Sequence, residues 1–139
     1  MGSGPGPMAL YGINSATYPA DAKTYYFGAS NHPWKKLPNQ NKIYIPRNGI
    51  ITKIALSFTS NVVPTQETFD IILRVNDTTD YTVFRATRLQ WGSRYTFIKE
   101  TKLNIQVNSE NTIEFKVTTP KWETNPTSVR TICMLILSY

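Results

Sequence analysis

One histidine, His32, and one cysteine, Cys133, are the side chains of this chain best suited to act as base or nucleophile near neutral pH. His32 stands directly before Pro33 in a stretch broken by Gly28, Asn31, Pro33 and Pro38, which makes it a surface loop histidine sooner than a held catalytic base. Cys133 stands between Ile132 and Met134, where it reads as a small buried hydrophobe. Being alone, it cannot close an internal disulfide, so stability must come from packing and from partners. Two carboxylate pairs, Glu67 with Asp70 and Asp77 with Asp80, have the composition of an acid–base couple. Closeness in sequence does not place two acids across a substrate, however, and turn capping accounts better for Asp77 and Asp80. Their spacing also lacks the twelve-residue ligand order of a calcium loop. One cysteine with one histidine makes a poor zinc site, and no glycine-rich phosphate loop occurs. The expectation is a protein without enzymatic activity, metal or cofactor.

Binding residues are more plentiful. Trp34, Trp91 and Trp122 all fall in segments read as loops, beside Asn31, Asn39, Gln90 and Asn125. Flat rings next to amides suit the faces and hydroxyls of a sugar, so Trp34, Trp91, Trp122 and Asn125 are the candidate ligand-binding residues. The competing reading has the same tryptophans closing the ends of a core or lining an interface. Arg85, Arg88, Trp91, Arg94, Tyr95 and Lys99 come nearest to the interleaving of basic and aromatic residues that single-stranded nucleic acid requires. The net charge of +6 is modest and its basic residues are scattered, which argues against a nucleic-acid partner. Asn76-Asp77-Thr78 fits a glycosylation sequon, a triplet that arises easily. The longest apolar run, Ile132 to Leu137, fits a buried strand and is too short to cross a bilayer, so no membrane insertion is expected.

The elements that must position these residues are strands. From Ile43 to Val75 apolar residues recur with a period of two, at Ile43 and Ile45, at Ile54, Leu56 and Phe58, and at Phe69, Ile71, Leu73 and Val75. The residues between them, Lys53, Ser57, Asp70 and Arg74, are polar, so the stretch reads as three strands forming one wall of a core whose other side meets water. The strand from Ile50 to Ser60 is expected to alternate over its whole length. Further strands are expected over Lys23–Phe27, Tyr81–Arg85, Tyr95–Ile98 and Lys102–Val107. The last of these is joined through Asn108-Ser109-Glu110-Asn111 to Ile113, Phe115 and Val117 as a hairpin. Residues 1–7 read as a vector remnant, 8–40 as an N-terminal arm with a short strand and a loop, and 41–139 as the core on which the arm packs.

The final strand, Val129 to Leu137, is apolar on both faces: Val129, Thr131, Cys133, Leu135 and Leu137 on one, Ile132, Met134 and Ile136 on the other. Both faces must therefore be covered. With no helix available, the second face is covered by the tail, by a long loop or by a neighbouring subunit, and Ile132, Met134 and Ile136 are the candidate oligomer interface. Eight or nine short strands without a helical segment point to an all-β fold, a two-sheet antiparallel β-sandwich of the jelly-roll kind, with a closed barrel as the alternative, since a period of two does not count sheets.

Several segments carry a resemblance beyond composition. Ile43-Tyr44-Ile45-Pro46-Arg47-Asn48-Gly49-Ile50-Ile51-Thr52-Lys53-Ile54, Leu73-Arg74-Val75-Asn76-Asp77-Thr78-Thr79-Asp80-Tyr81, the pair Leu103–Val107 and Asn111–Lys116, and Thr119-Pro120-Lys121-Trp122-Glu123-Thr124-Asn125-Pro126-Thr127-Ser128-Val129-Arg130 keep one order over residues 43–137. They resemble small β-rich structural, fibre-tip or surface domains of bacteriophages and large DNA viruses. The resemblance implies a virion structural or surface module that acts by binding and assembly, as a homo-oligomer, typically a trimer. Its partners would be other virion proteins or a host-surface glycan. The resemblance brings no catalytic residues with it. The alternative functions are a carbohydrate-binding module and, below it, a nucleic-acid-binding β protein.

Overall fold

Short alternating segments cut apart by Pro, Gly and Asn can pair only with distant partners, and the chain does so in a nested order. The computed structural model describes residues 7–29, 32–38, 41–60, 69–86, 96–122 and 125–139. Among these residues run the strands β1 (Met8–Thr17), β2 (Thr24–Phe27), β3 (Ile43–Tyr44), β4 (Gly49–Thr59), β5 (Phe69–Val75), β6 (Thr79–Ala86), β7 (Thr96–Val107), β8 (Thr112–Thr118) and β9 (Val129–Ser138). β1 pairs with β9, β2 with β8, β4 with β7 and β5 with β6, all antiparallel. This is a ribbon folded back on itself at the β5–β6 turn. Rolled up, it gives one sheet in the order β1-β9-β4-β7 and a second in the order β2-β8-β5-β6, with β3 continuing along β8 beyond β2. The result is an all-β sandwich with jelly-roll connectivity.

The core lies between the sheets and takes one face of each strand: Ile54, Leu56 and Phe58 of β4, Ile71 and Leu73 of β5, Ile113, Phe115 and Val117 of β8, and Cys133, Leu135 and Leu137 of β9 are all buried. These inward sets are the ones the period of two selects. Burying side chains of this size stabilises the fold by about 1.5–3 kcal/mol apiece.

Five local readings need correction. The wall expected over Ile43–Val75 is divided, with β4 in the first sheet and β3 and β5 in the second. β7 and β8 form no hairpin; the turn between them crosses from one sheet to the other. A chain connection and a strand pairing look alike in sequence when both flanks alternate. β4 does not alternate throughout, because a register shift between Ile51 and Lys53 turns both Ile51 and Ile54 inward. Finally, residues 8–17 are not an arm laid on the core but the edge strand of the first sheet, and the short strand expected over Tyr95–Ile98 is, from Thr96 on, the beginning of the continuous β7, Tyr95 itself lying outside the described residues.

Candidate functional site

The tryptophans decide first between a sugar site and a closed core. Trp34 and Trp122 are each 6% exposed. Trp34 stacks on Phe27 at 5.2 Å between ring centroids, and Phe27 stacks in turn on Phe115 at 5.2 Å. Phe58 lies 5.8 Å from Trp34, and Trp122 shares with it a gap of only about 10 Å³ at that end of the sandwich. The expectation of ligand contact by Trp34 and Trp122 is thereby corrected: their loops fold back and the rings complete the core. Asn125 is also engaged, its Nδ2 donating to the Pro19 carbonyl at 3.1 Å and to Asp21 Oδ1 at 3.0 Å. It fastens the β8–β9 loop to the β1–β2 connection. Trp91, Arg88, Arg94, Tyr95 and Glu67 lie outside the described residues.

A buried polar knot holds the Trp34 loop in place. Asn14 on β1 donates to the His32 carbonyl at 2.9 Å and to Asn41 Oδ1 at 3.2 Å, and its Oδ1 accepts the Gly28 N–H at 2.9 Å. The Thr17 hydroxyl accepts the Trp34 N–H at 2.7 Å, and Asn41 Nδ2 donates to the Tyr26 carbonyl at 2.8 Å. Burying amides is tolerable only when their hydrogen bonds are made. Sequence reasoning passes over Asn14 and Asn41; the one signal is an asparagine at an inward position of β1, and Asn41, which lies in no strand, carries none.

The reactive candidates are likewise accounted for. Cys133 is buried, and burial pushes its thiol up to about 12, which leaves no thiolate for nucleophilic chemistry. His32 sits on the surface, with its backbone carbonyl taken by Ser15 N–H and Asn14. Arg85 grips Asp70 through Nε at 2.8 Å and Nη2 at 3.3 Å. Asp77 pairs with Lys42, and Asp80 lies 3.1 Å from Lys116 Nζ and 3.6 Å from Arg74 Nη1. The two aspartates thus make ion pairs instead of capping the turn, which is shaped by Asn76 and Asp77 at φ 53° and 60°.

Among the described residues, what remains is a surface. β1 is patterned inside out: Gly12 and Asn14 face the core, while Ala9, Tyr11 and Ile13 face outward. Tyr11 is 64% and Ile13 54% exposed. The register sets Ala9 beside Ile136, Tyr11 beside Met134 and Ile13 beside Ile132. On the far side of β9, β4 sets Lys53 beside Ile136, Ala55 beside Met134 and Ser57 beside Ile132. The outer face of the first sheet is therefore an apolar stripe two strands wide, with Ile132 52% exposed and Met134 and Ile136 half-buried. At its end a groove of about 340 Å³ opens beside Ile13, Ile132, Ser57 and Arg130. Lys53 and Glu100, 3.3 Å apart, border the stripe on the β7 side. Two adjacent strands with outward apolar residues in register form a contiguous patch, the kind of surface that marks an interaction site.

No protein-family model matches the chain, and no curated protein matches it. Among solved structures, one described as the crystal structure of FLHE aligns over 96% of this chain and 98% of its own, at 15% identity and a TM-score of 0.51. That likeness is one of fold alone. A structure of Desmodium yellow mottle tymovirus aligns over 99% of this chain and 91% of its own at 11% identity, and its TM-score of 0.37 is too low to bear on function.

Proposed function

We propose that the protein is a non-enzymatic structural or surface module of a virion, and that it works by assembling with further copies of itself through the outer face of the first sheet. The observation that carries the reading is the stripe of Tyr11, Ile13, Ile132, Met134 and Ile136, which water would otherwise cover. Its occupant is a second copy of the chain. The stripe's side chains stand in register on adjacent strands, as aligned sheet-on-sheet packing requires, and its margin carries both members of an ion pair, Lys53 and Glu100, so that one copy's cation can meet another's anion. The sequence resemblance to viral structural domains supports the virion setting, and the jelly roll suits that setting. Burial of Trp34 and Trp122 takes two of the three rings from the aromatic platform on which the carbohydrate-module alternative rested. Light scattering at micromolar protein tests the reading. A closed oligomer, a trimer by analogy with the resembled domains, is the expected result; a monomer mass over the whole accessible concentration range would overturn it.

A further inference from the structure

The outer face of the second sheet holds an arrangement that assembly does not use. Glu114 of β8 lies between inward-facing Ile113 and Phe115, yet it is only 1% exposed, and neither of its carboxylate oxygens has a hydrogen-bond partner. Directly across the strand pair stands Arg74 of β5, whose Nε is also buried without a hydrogen bond. The charges around Glu114 come from every neighbouring segment. Lys42 precedes β3, Lys116 lies on β8 itself, Asp77 sits in the β5–β6 turn and Asp80 at the start of β6. Tyr26 of β2 lies under the Arg74 guanidinium at 6.0 Å, and Tyr44 of β3 is close enough to act on Lys42.

All three cations are committed to the turn. Lys42 binds the Asp77 carboxylate, Arg74 Nη2 donates to the Asp77 carbonyl at 2.8 Å, Arg74 Nη1 lies 3.6 Å from Asp80, and Lys116 lies 3.1 Å from Asp80. Glu114 is left beneath them with a desolvated carboxyl group and nothing donated to it.

We propose that Glu114 is a proton-operated latch on the β5–β6 turn. When protonated, it leaves Lys42 and Arg74 to Asp77 and Asp80, and the turn is held against β8 and the start of β3. On losing its proton to solvent, the carboxylate draws Lys42 and Arg74 toward itself and releases Asp77. Isolation of a carboxylate from water disfavours its charged form, and here desolvation outweighs the pull of Lys42 and Arg74, so the group titrates at about 7. The transition then falls at neutral pH, where an exposed glutamate would already be fully ionised. The latch is a property of the second sheet and does not depend on assembly through the first.

Carboxyl and amide NMR of the full chain between pH 5 and 9 tests it. Glu114 is expected to titrate with a midpoint near 7, and the amides of Asp77 and Thr78 are expected to shift with the same midpoint. Glu114→Gln should abolish the turn's response. Asp77→Asn should lower the Glu114 midpoint, because it removes an anion that holds the proton on. A Glu114 midpoint near 4.5, turn amides that ignore Glu114, or a turn response that survives Glu114→Gln would each overturn the latch. Should Glu114→Gln fail to fold, a Glu114 midpoint unmoved by Asp77→Asn overturns it on its own.

Discussion

At the scale of the residue, burial separates side chains that resemble one another in sequence. Trp122 is read as a loop residue because Pro120 and Pro126 flank it, and that reading is right about the backbone. It says nothing of where the ring goes, because the direction of a loop side chain is set by contacts with distant residues such as Phe58 and Val129, which have no periodic signature. Trp122→Ala removes a large buried ring and is expected to destabilise the fold by about 3–5 kcal/mol, seen as a lower denaturant midpoint. An unchanged midpoint would mean an exposed ring. Glu114 makes a second residue-scale prediction. In the unfolded chain it titrates near 4.5 and in the folded chain at about 7, so between these values the folded state keeps a proton that the unfolded state has lost. Its contribution is therefore most favourable below about 4.5, is lost as pH rises toward 7, and is constant above that, amounting to no more than about 3 kcal/mol. Chemical denaturation at pH 4.5, 6 and 8 should show wild type falling relative to Glu114→Gln across this window. Parallel curves would rule the effect out.

At the scale of the element, the strands most legible in sequence are those with a conventional face, and the least legible is β1. The inward sets of β4, β5, β8 and β9 follow directly from alternation, including the correct core face of β9 with Cys133, Leu135 and Leu137. β1 escapes because Tyr11 and Ile13 face out while Gly12 and Asn14 follow Leu10 on the inward face, so the apolar residues are split between its two faces and no period of two stands out. Gly12 is small for a packing reason. A Cβ there would lie 2.0 Å from the Gly28 carbonyl oxygen and 2.8 Å from Cys133 Sγ, so the strand and the start of the Trp34 loop can approach only without a side chain. Gly12→Ala should therefore push β1 off the loop, disturb the Asn14 hydrogen bonds and destabilise the protein by about 1–3 kcal/mol. The expected readout is faster amide exchange at Gly28 and over β1, with β5 and β8 unchanged. Wild-type exchange rates at Gly28 would show that the contact yields at no cost.

At the scale of the molecule, the two outer faces of the sandwich differ in kind, and that difference points to assembly. The second sheet turns Arg74, Glu114 and Lys116 outward, a face whose charges are balanced among themselves, while the first sheet turns out Tyr11, Ile13, Ile132 and Met134. The outward face of β9 could be read in sequence, but its setting could not. The alternation that marks Ile132, Met134 and Ile136 does not reveal that β1 adds Tyr11 and Ile13 beside them, because β1 and β9 stand at opposite ends of the chain. Polar Lys53 and Ser57 of β4, read in sequence as a side that meets water, stand on this same face and supply its margin. Because these side chains lie outside the core, charging them should spare the fold and act only on association. Tyr11→Lys combined with Ile132→Lys exchanges apolar contact for like-charge repulsion in every copy. At about 1.5–3 kcal/mol for each large apolar side chain withdrawn from contact, the double substitution should weaken self-association by about 100-fold or more. Light scattering across a dilution series should then give the monomer mass, with a denaturation midpoint close to that of wild type measured under the same conditions as monomer. A double variant that folds and retains the wild-type mass at every dilution would place the contact on another surface, leaving the inside-out patterning of β1 without an explanation in assembly.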